Sequence, residues 1–556
     1  MSAVNIKQRL GDLLGQAVKS AQASGKLLSV TVPENTIERP QNPEHGDYAT
    51  SLPLKLARVV GQPPLSIARE IVNFIPSSPE LASVVAAPPG FINFKLSDKW
   101  LAGQVDDILT AGNKFGNIDI GKGSKVQVEF VSVNPTGPLH VGHGRGAVLG
   151  SCLSSVLAAA GYNVTREYYL NDTGNQIEAF KRSFFARYQQ QFGREAEVPA
   201  DGYHGAYLVD YAKEVAAREG KRFLEMPEPE ALREIGKIGL DMVVSEIKTD
   251  LDRLGVSFDV WFSEQSLYDS GLARKVMAQL QKEGHLALKE GATWFISTAL
   301  GEDKDNVVVR GDGSPTYFAS DIAYHYNKFF ERKFDRVINI WGADHQGHVS
   351  RMKAVIGALG IDSERLTVLI CQMVSLKRGE ETVRVSKRSG DIITLRELID
   401  EVGADACRYF FAARSADSQM DFDLELAKEQ SPENPVYYVQ YGHARICSVL
   451  KHAKEKGISY EGGDVSLLVT APELNLIRKM LLLPETVETA AKALEPHHMA
   501  YYALDLATVF HSFYDTTRVV TDDASLTKAR LKLVAAGQVV LARTLHLMGM
   551  NAPESM

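Results

Sequence analysis

Two histidines separated by a valine and a glycine, His140-Val141-Gly142-His143, stand where an apolar run gives way to a helical pattern. The run Val126 to Val133 reads as a strand, passes through Asn134-Pro135-Thr136-Gly137-Pro138-Leu139, and is followed by a helix over Gly144 to Ala160. Strand, turn and helix N-terminus in that order can lay a nucleotide across unpaired N–H groups at the positive end of the helix dipole. Gly142 lets the backbone approach a flat base closely. Two imidazoles can donate hydrogen bonds to phosphate oxygens as charge builds in an in-line displacement. The H-x-G-H pattern is short, and a metal pair or incidental surface histidines account for it equally; its position after a strand favours nucleotide chemistry. Far downstream, Arg384-Val385-Ser386-Lys387-Arg388-Ser389-Gly390 follows another apolar run, Thr367 to Leu376. Lys387 on such a loop can close on phosphates and stabilise a departing pyrophosphate. Alone, the stretch is a solvated charge run.

Two acids lie where strand ends would face a pocket: Glu129 in Val126 to Ser132, and Asp321 in Tyr317-Phe318-Ala319-Ser320-Asp321. Alternation puts Glu129 on the face opposite Val128 and Phe130, where an unpaired carboxylate is costly to bury. Each acid taken singly fits a salt bridge within the fold as well as it fits a cationic ligand. Gly342-Ala343-Asp344-His345-Gln346-Gly347-His348 sets His345 and His348 a helical turn apart beside Asp344. No further ligand cluster accompanies them, so no metal site is expected.

The histidine turn resembles the HIGH motif of class I aminoacyl-tRNA synthetases and the related nucleotidylyltransferases. Arg384 to Lys387 resembles a degenerate KMSKS loop, with Arg384 and Val385 in place of Lys and Met and the central Ser386-Lys387 kept. Nucleotidylyltransferases of that superfamily are far shorter than 556 residues, which favours a synthetase. Glu129 to Pro135, Asn171 to Gln176, Tyr317 to His325 and Trp341 to His348 together resemble the arginyl-tRNA synthetases, and the similarity runs to both ends of the chain.

The resemblance implies ATP-dependent activation of L-arginine to arginyl-adenylate, then transfer to the 2′-hydroxyl of the 3′-terminal adenosine of tRNA(Arg), with Mg2+ accompanying ATP. In that family the first step usually needs bound tRNA, and a monomer is the habit. Carried over residue by residue, it assigns His140, His143 and Lys387 to catalysis. Pro135, Gly137, His140, Gly142, His143, Gly342, Asp344, Ser386 and Lys387 are assigned to ATP. For arginine it implies Glu129 and Asp321 on the guanidinium, Tyr317 along the side chain, Ser132 and Asn134 near the α-amino and carboxylate groups, and His345 beside them. Lysine would lose the bidentate geometry of a planar fork. A site built on buried hydrogen bonds rejects analogues without an editing domain, and none is evident.

For tRNA, Asn434 to Arg445 interleaves aromatics with His443 and Arg445, which can stack unpaired bases and meet phosphate. Half of these aromatics, at helical spacing, are expected in the core. The stretch resembles the anticodon-binding helical domain of the family, which implies contacts from Tyr438, Tyr441, Arg445 and the terminal Met556. The N-terminal module resembles the domain that contacts the D-loop side of the tRNA elbow, with Asn93 in Gly90-Phe91-Ile92-Asn93-Phe94 as base reader; the bland reading is a half-buried strand. His497-His498 has no partner motif and reads as surface or cap.

These residues need a frame. A chain of 556 residues exceeds one hydrophobic core, so two to four domains are expected. Ile6, Leu10, Leu13, Leu14, Ala17, Val18 and Ala21 form a helical stripe opening a small α/β domain, residues 1–118. From Lys125, strands alternate with helices: Val126 to Val133, Val164 to Leu170, Arg336 to Trp341 with helix Val349 to Leu359, and Thr367 to Leu376. That pattern predicts a Rossmann-type, doubly wound parallel sheet over 119–393, with a helical insertion at about 177–290. Residues 394–556 read as an all-α domain. A net charge of −8 argues against coating nucleic acid by global charge and leaves room for local basic patches. Four scattered cysteines without a C-x-x-C pair suggest buried thiols. With no signal architecture and no run of about 20 apolar residues, the expectation is a cytoplasmic protein without a membrane segment. The rivals are a non-catalytic RNA-binding paralogue, a nucleotidylyltransferase, and a class I synthetase for another amino acid.

Overall fold

The computed structural model describes residues 6–32, 37–379, 381–383 and 393–556. The N-terminal stripe forms the helix Ile6–Ala23, with Leu10, Leu14, Val18 and Ala21 buried. It packs beside a three-stranded antiparallel sheet of β1 (Tyr48–Thr50), β2 (Leu81–Ala87) and β3 (Phe91–Leu96), with β3 in the centre. Ile92, Phe94 and Leu96 alternate into the core, so Asn93 lies half-exposed on the opposite face. Ion pairs seat this module on the C-terminal helices. Arg39 meets Glu485 at 2.9 Å, Tyr48 donates to the same carboxylate, and Arg478 meets Asp47 at 2.7 Å.

The central sheet is built from β4 (Lys125–Glu129), β5 (Asn163–Leu170) and β6 (Val260–Ser263). After a small antiparallel sheet of β7 (Leu286–Lys289), β8 (Ala292–Phe295) and β9 (Asn306–Val309), it is completed by β10 (Arg336–Gly342) and β11 (Leu366–Cys371). Its order is β11-β10-β4-β5-β6 and every pairing is parallel. The chain winds from β4 toward β5 on one side and has β10 on the other, so the order reverses between β4 and β10. Ligands bind at such a switch point, beyond the carboxyl ends of the strands.

Strand β4 is buried on both faces, as central parallel strands are. One face meets the helix Val141–Ala159, where Gly150 admits the Phe130 ring; a Cβ there would lie 2.2 Å from it. The other face presents buried polar groups, Gln127 and Glu129, continued by Glu167 on β5 and Asn339 on β10. Tyr324 of the helix Tyr317–Tyr326 hydrogen-bonds Gln127 and Glu167 on this layer, and Lys328, in the π-helical turn Asn327–Glu331 that follows, reaches Glu129 and Asn339.

Two parts of the sequence reading change. The run Thr367 to Leu376 is not one strand: it breaks at Gln372, whose carbonyl accepts from buried Arg145 and whose N–H donates to the Ala416 carbonyl. Beyond the break, β12 (Val374–Arg378) pairs with β13 (Glu381–Val383) and with β14 (Met420–Asp423), a strand inside the otherwise helical C-terminal part. The stretch 177–290 is helical except at its end: β6 adds the outer strand of the central sheet and β7 begins the small one.

Arg408 ties the parts together from full burial. Its guanidinium donates to the Met548 carbonyl at 2.7 Å, to the Leu254 and Gly255 carbonyls at 3.0 and 3.2 Å, and to Ser151 Oγ at 3.0 Å. Cys152, Cys371 and Cys407 are buried free thiols and Cys447 is half-buried. Among the described residues no helix is long and apolar enough to cross a membrane.

Candidate active site

The chain leaves β4 through a kink at Val131 and Ser132, whose φ values of +68° and +45° are rare for side-chain-bearing residues and costly for a β-branched one. The kink is held by neighbours at the end of β5. Tyr169 N–H donates to Ser132 Oγ at 3.0 Å, Asn171 Nδ2 to the Ser132 carbonyl at 3.1 Å, and Tyr168 to the Val133 carbonyl at 3.0 Å. Asn134 Nδ2 donates to Gln176, which carries the turn over to the next helix. Pro135 is buried, and Gly137 lies under the Tyr207 hydroxyl, which donates to the Thr136 carbonyl at 2.5 Å.

The turn delivers His140 as the N-cap of the helix Val141–Ala159. Nδ1 of His140 accepts from Gly142 N–H at 3.1 Å, and Nδ1 of His143 accepts from His140 N–H at 3.2 Å. The rings stack with centroids 3.4 Å apart. Because both Nδ1 atoms accept, the neutral rings carry their protons on Nε2. The capping box therefore fixes the tautomer of each neutral ring, with Nε2–H as its donor. Downstream of the 384–392 segment the chain returns to the same place: Thr394 bridges to His140 and Leu395 N–H donates to the Leu139 carbonyl at 2.8 Å. The Ser386 and Lys387 assignments lie outside the described residues.

Across the switch point, β10 ends at Gly342 in register beside β4, with Asn339 opposite Glu129. Gly342 is where Asp344 folds back, since a Cβ would meet its Oδ1 at 2.6 Å. Asp344 and His345 are exposed, 3.6 Å apart, and Trp341 lies near the His345 ring. Asp344, His345 and His348 do not converge as three metal ligands. Among the described residues only Glu495, His497 and His498 do, at the start of the helix His497–Thr516. The dipeptide His497-His498 thus has a partner the sequence reading missed, Glu495, which approaches His498 to 3.0 Å.

Beneath the turn lies an acidic pocket. Asp321 has no side-chain hydrogen bond or ion pair among the described residues, and its carboxyl is pushed up to about 8 by burial, then by the charges of Glu264 and Glu129, against the pull of Lys328 and Arg351. Glu264, buried in the turn after β6, has one oxygen, Oε2, without a partner among the described residues, and burial and Asp172 push it up as well. The buried Tyr169 hydroxyl also lacks a partner among the described residues, and burial with the charges of Glu264, Asp321 and Glu129 pushes it up. Clustered acceptors that burial makes costly to ionise, with orphaned polar atoms beside them, fit a ligand that is cationic and rich in donors. Asp172 positions Glu264 by accepting from Gln265 N–H at 2.9 Å and Ser263 Oγ at 2.5 Å. Tyr317, the first residue of its helix, lies over Gly174.

Glu129 answers to both of its readings. Its Oε2 takes Lys328 Nζ at 2.5 Å in a buried salt bridge, whereas Oε1 has no hydrogen bond among the described residues. The structure thus brings Glu129, Ser132, Asn134, Tyr317 and Asp321 to one side of the switch point and His140, His143, Gly342, Asp344 and His345 to its rim. Glu264 and Lys328 escaped the sequence reading. Glu264 is a lone acid in Ser263-Glu264-Gln265, with no pattern to mark it. Lys328 could have been found, since Tyr317, Asp321, Tyr324, His325 and Lys328 form a polar stripe at helical spacing.

The residues assigned to tRNA lie elsewhere. On the helix Pro435–Glu455 the core stripe is Val436, Val439, Gln440, His443 and Ala444, so Tyr437, Tyr438 and Tyr441 are all half-exposed, and of the half expected in the core Tyr438 packs against it. Tyr437 and Tyr441 stack, and Arg445 lies 4.8 Å over the Tyr441 ring and 4.9 Å over Tyr514. The C-terminal tail is pinned beside them by His443 Nδ1 on the Pro553 carbonyl at 2.8 Å, leaving Met556 exposed.

Known proteins resemble the chain along its whole length. A family model described as tRNA synthetases class I (R), catalytic domain, matches residues 104–429. Those for the arginyl tRNA synthetase N terminal domain and the DALR anticodon binding domain match 7–96 and 439–556. The chain is 58% identical to the arginine–tRNA ligase of Dehalococcoides mccartyi over 100% of both chains. It is 49% identical to that of Moorella thermoacetica over 99% of each. In fold it is similar to the solved arginyl-tRNA synthetase of Thermus thermophilus, with a TM-score of 0.78 and 23% identity over 99% of this chain and 100% of that one.

Proposed function

We propose how the residues of this chain, which belongs to the class I arginyl-tRNA synthetases, divide the work of its reaction. The reaction uses ATP to turn L-arginine into arginyl-adenylate and then charges tRNA(Arg), releasing AMP and pyrophosphate. The observation that carries the division of labour is the switch point itself. A capped histidine pair stands over the end of β4, Gly342 to His345 over the end of β10, and below both lies a cluster of acids in which Asp321 has no side-chain partner among the described residues.

Arginine lies with its guanidinium on Asp321, Glu264 and Glu129 Oε1, its side chain along Tyr317, and its α-amino and carboxylate groups toward Ser132, Asn134 and His345. ATP lies across Pro135, Gly137, Gly142, Gly342 and Asp344. As the arginine carboxylate oxygen attacks the α-phosphorus and the bond to pyrophosphate breaks, Nε2–H of His140 and His143 donate to the oxygens that gain charge. Ser386 and Lys387 serve the departing pyrophosphate. Mg2+ would be held mainly through the phosphates of ATP, where it would neutralise charge as pyrophosphate leaves. Asn93 faces the tRNA elbow, and Tyr438, Tyr441, Arg445 and Met556 face the anticodon. A monomer is proposed on the family resemblance alone.

The test is aminoacylation of total tRNA with each labelled amino acid in turn, wild type against Asp321→Ala. Charging confined to arginine and lost in the variant is expected; an Asp321→Ala enzyme with the wild-type KM for arginine rejects the pocket.

A further inference from the structure

Lys328 is a fully buried ammonium with a defined set of partners. It meets Glu129 Oε2 at 2.5 Å and Asn339 Oδ1 at 3.0 Å, and stands 4.1 Å over the Tyr324 ring. Asn339 in turn donates to His325 Nε2 at 3.0 Å, and His325 Nδ1 donates to the Asp321 carbonyl at 2.7 Å. Burial and Lys328 hold His325 neutral, at about 3, so Lys328 supplies the only cation in this chain of contacts. The π-helical turn Asn327–Glu331 carries Lys328. π-turns in helices concentrate at functional sites.

We propose that Lys328 is a positioning residue that sets the charge and geometry of the guanidinium pocket: it locks Glu129 by Oε2, leaves Oε1 alone to face arginine, and cancels one of three clustered carboxylates. The inference rests on the arginine pocket described above. Without Lys328, Glu129, Glu264 and Asp321 would face one guanidinium with an uncompensated excess of negative charge, and the Glu129 carboxylate would be free to rotate. With it, Glu129 faces arginine with its charge already balanced, the uncompensated acids are Asp321 and Glu264, and the proton that burial places among them leaves when the cation arrives. Asp321 is the group whose ionisation reports this. Facing it are Glu264 after β6, Glu129 on β4, Tyr169 on β5, Tyr268 on the helix Gln265–Asp269, Arg351 on the helix Val349–Ala358, and Lys328 itself.

The experiment measures aminoacylation of tRNA(Arg) by the full-length enzyme with Mg-ATP, recording kcat/KM for arginine from pH 6 to 9. Lys328→Met should raise the KM for arginine about tenfold while kcat stays within about threefold. Its pH midpoint should move up, by about half a unit or more, because a cation near Asp321 is gone. Glu129→Gln should move the midpoint down, because an anion is gone and Lys328 remains. The double variant should return it close to wild type although its KM stays raised. A purely structural role predicts weakened binding with the same midpoint in all three variants, and that result overturns the proposal. If circular dichroism shows Lys328→Met unfolded, the comparison of Glu129→Gln with the double variant decides, since replacing both members of a buried pair is tolerated far better than removing one. Asp321→Asn separates the two levels of inference. A flat pH profile in that variant supports the pocket, and a wild-type step and KM reject the pocket itself rather than the role of Lys328.

Discussion

A Cβ on Gly174 would stand 2.8 Å from the Tyr317 hydroxyl, and Gly174 holds φ at +87°. Two segments far apart in sequence therefore meet at a point where only glycine fits. Gly174→Ala is strained by its backbone and crowded by Tyr317, at a cost of roughly 1–3 kcal/mol for the backbone alone. Because Tyr317 lines the proposed arginine site, the variant should raise the KM for arginine about tenfold and leave the KM for ATP unchanged, measured by steady-state aminoacylation.

The carboxyl of Asp321, raised from an ordinary 3.8 to about 8, makes arginine binding pH-dependent. The folded protein holds this proton across pH 4 to 8, where the unfolded chain has lost it, so this group's contribution to stability falls as pH rises through that window. A guanidinium requires the ionised form. Arginine binding at pH 7 should release a proton, read by titration calorimetry in buffers of different ionisation enthalpy, and arginine affinity should improve with pH up to about 8 and then level. Asp321→Asn should release none.

His140 has two jobs that substitution can separate. Asparagine at an N-cap also accepts from the first turn, so His140→Asn keeps the cap but loses the Nε2 donor. It should melt within a degree or two of wild type and lower kcat about a hundredfold. His140→Ala loses both, with a further cost of about 1 kcal/mol in stability.

Arg408 satisfies three carbonyls and a hydroxyl in the interior. Arg408→Ala strands them at roughly 1–3 kcal/mol per unpaired group, so thermal inactivation should begin well below the wild-type temperature while the KM for arginine in the surviving enzyme is unchanged. Arg408→Lys should recover only part of the loss, because an ammonium cannot span acceptors that a planar fork reaches.

The sequence was most legible where local pattern and chemistry coincide. His140 and His143 were marked by a strand running into a helix, and the helix Ile6–Ala23 and strand β3 by their periods. What stayed hidden depends on contacts between distant residues. Nothing around Gln372 announces a strand break, because the cause is a guanidinium from position 145. The short β6 lacks alternation, being half-buried throughout, and merged into the helical stretch before it. Glu264 belongs to the pocket only because Asp172 holds its turn. Tyr438 and Tyr441 looked partly like core because helical spacing alone does not say which stripe packs, and the buried choice fell on Val439 and His443.

The ion pairs between Arg39 and Glu485 and between Asp47 and Arg478 make the first and last modules of the chain neighbours. The link from the N-terminal module ends there too, since Asp106 on the helix Asp98–Ala111 reaches Lys532 on the final helix. The two surfaces proposed above to meet tRNA, one around Asn93 and one around Tyr441 and Arg445, are thereby mounted on a common base. If both surfaces meet tRNA, the ion pairs act like the rivet of a caliper, holding the spacing between the two contacts constant.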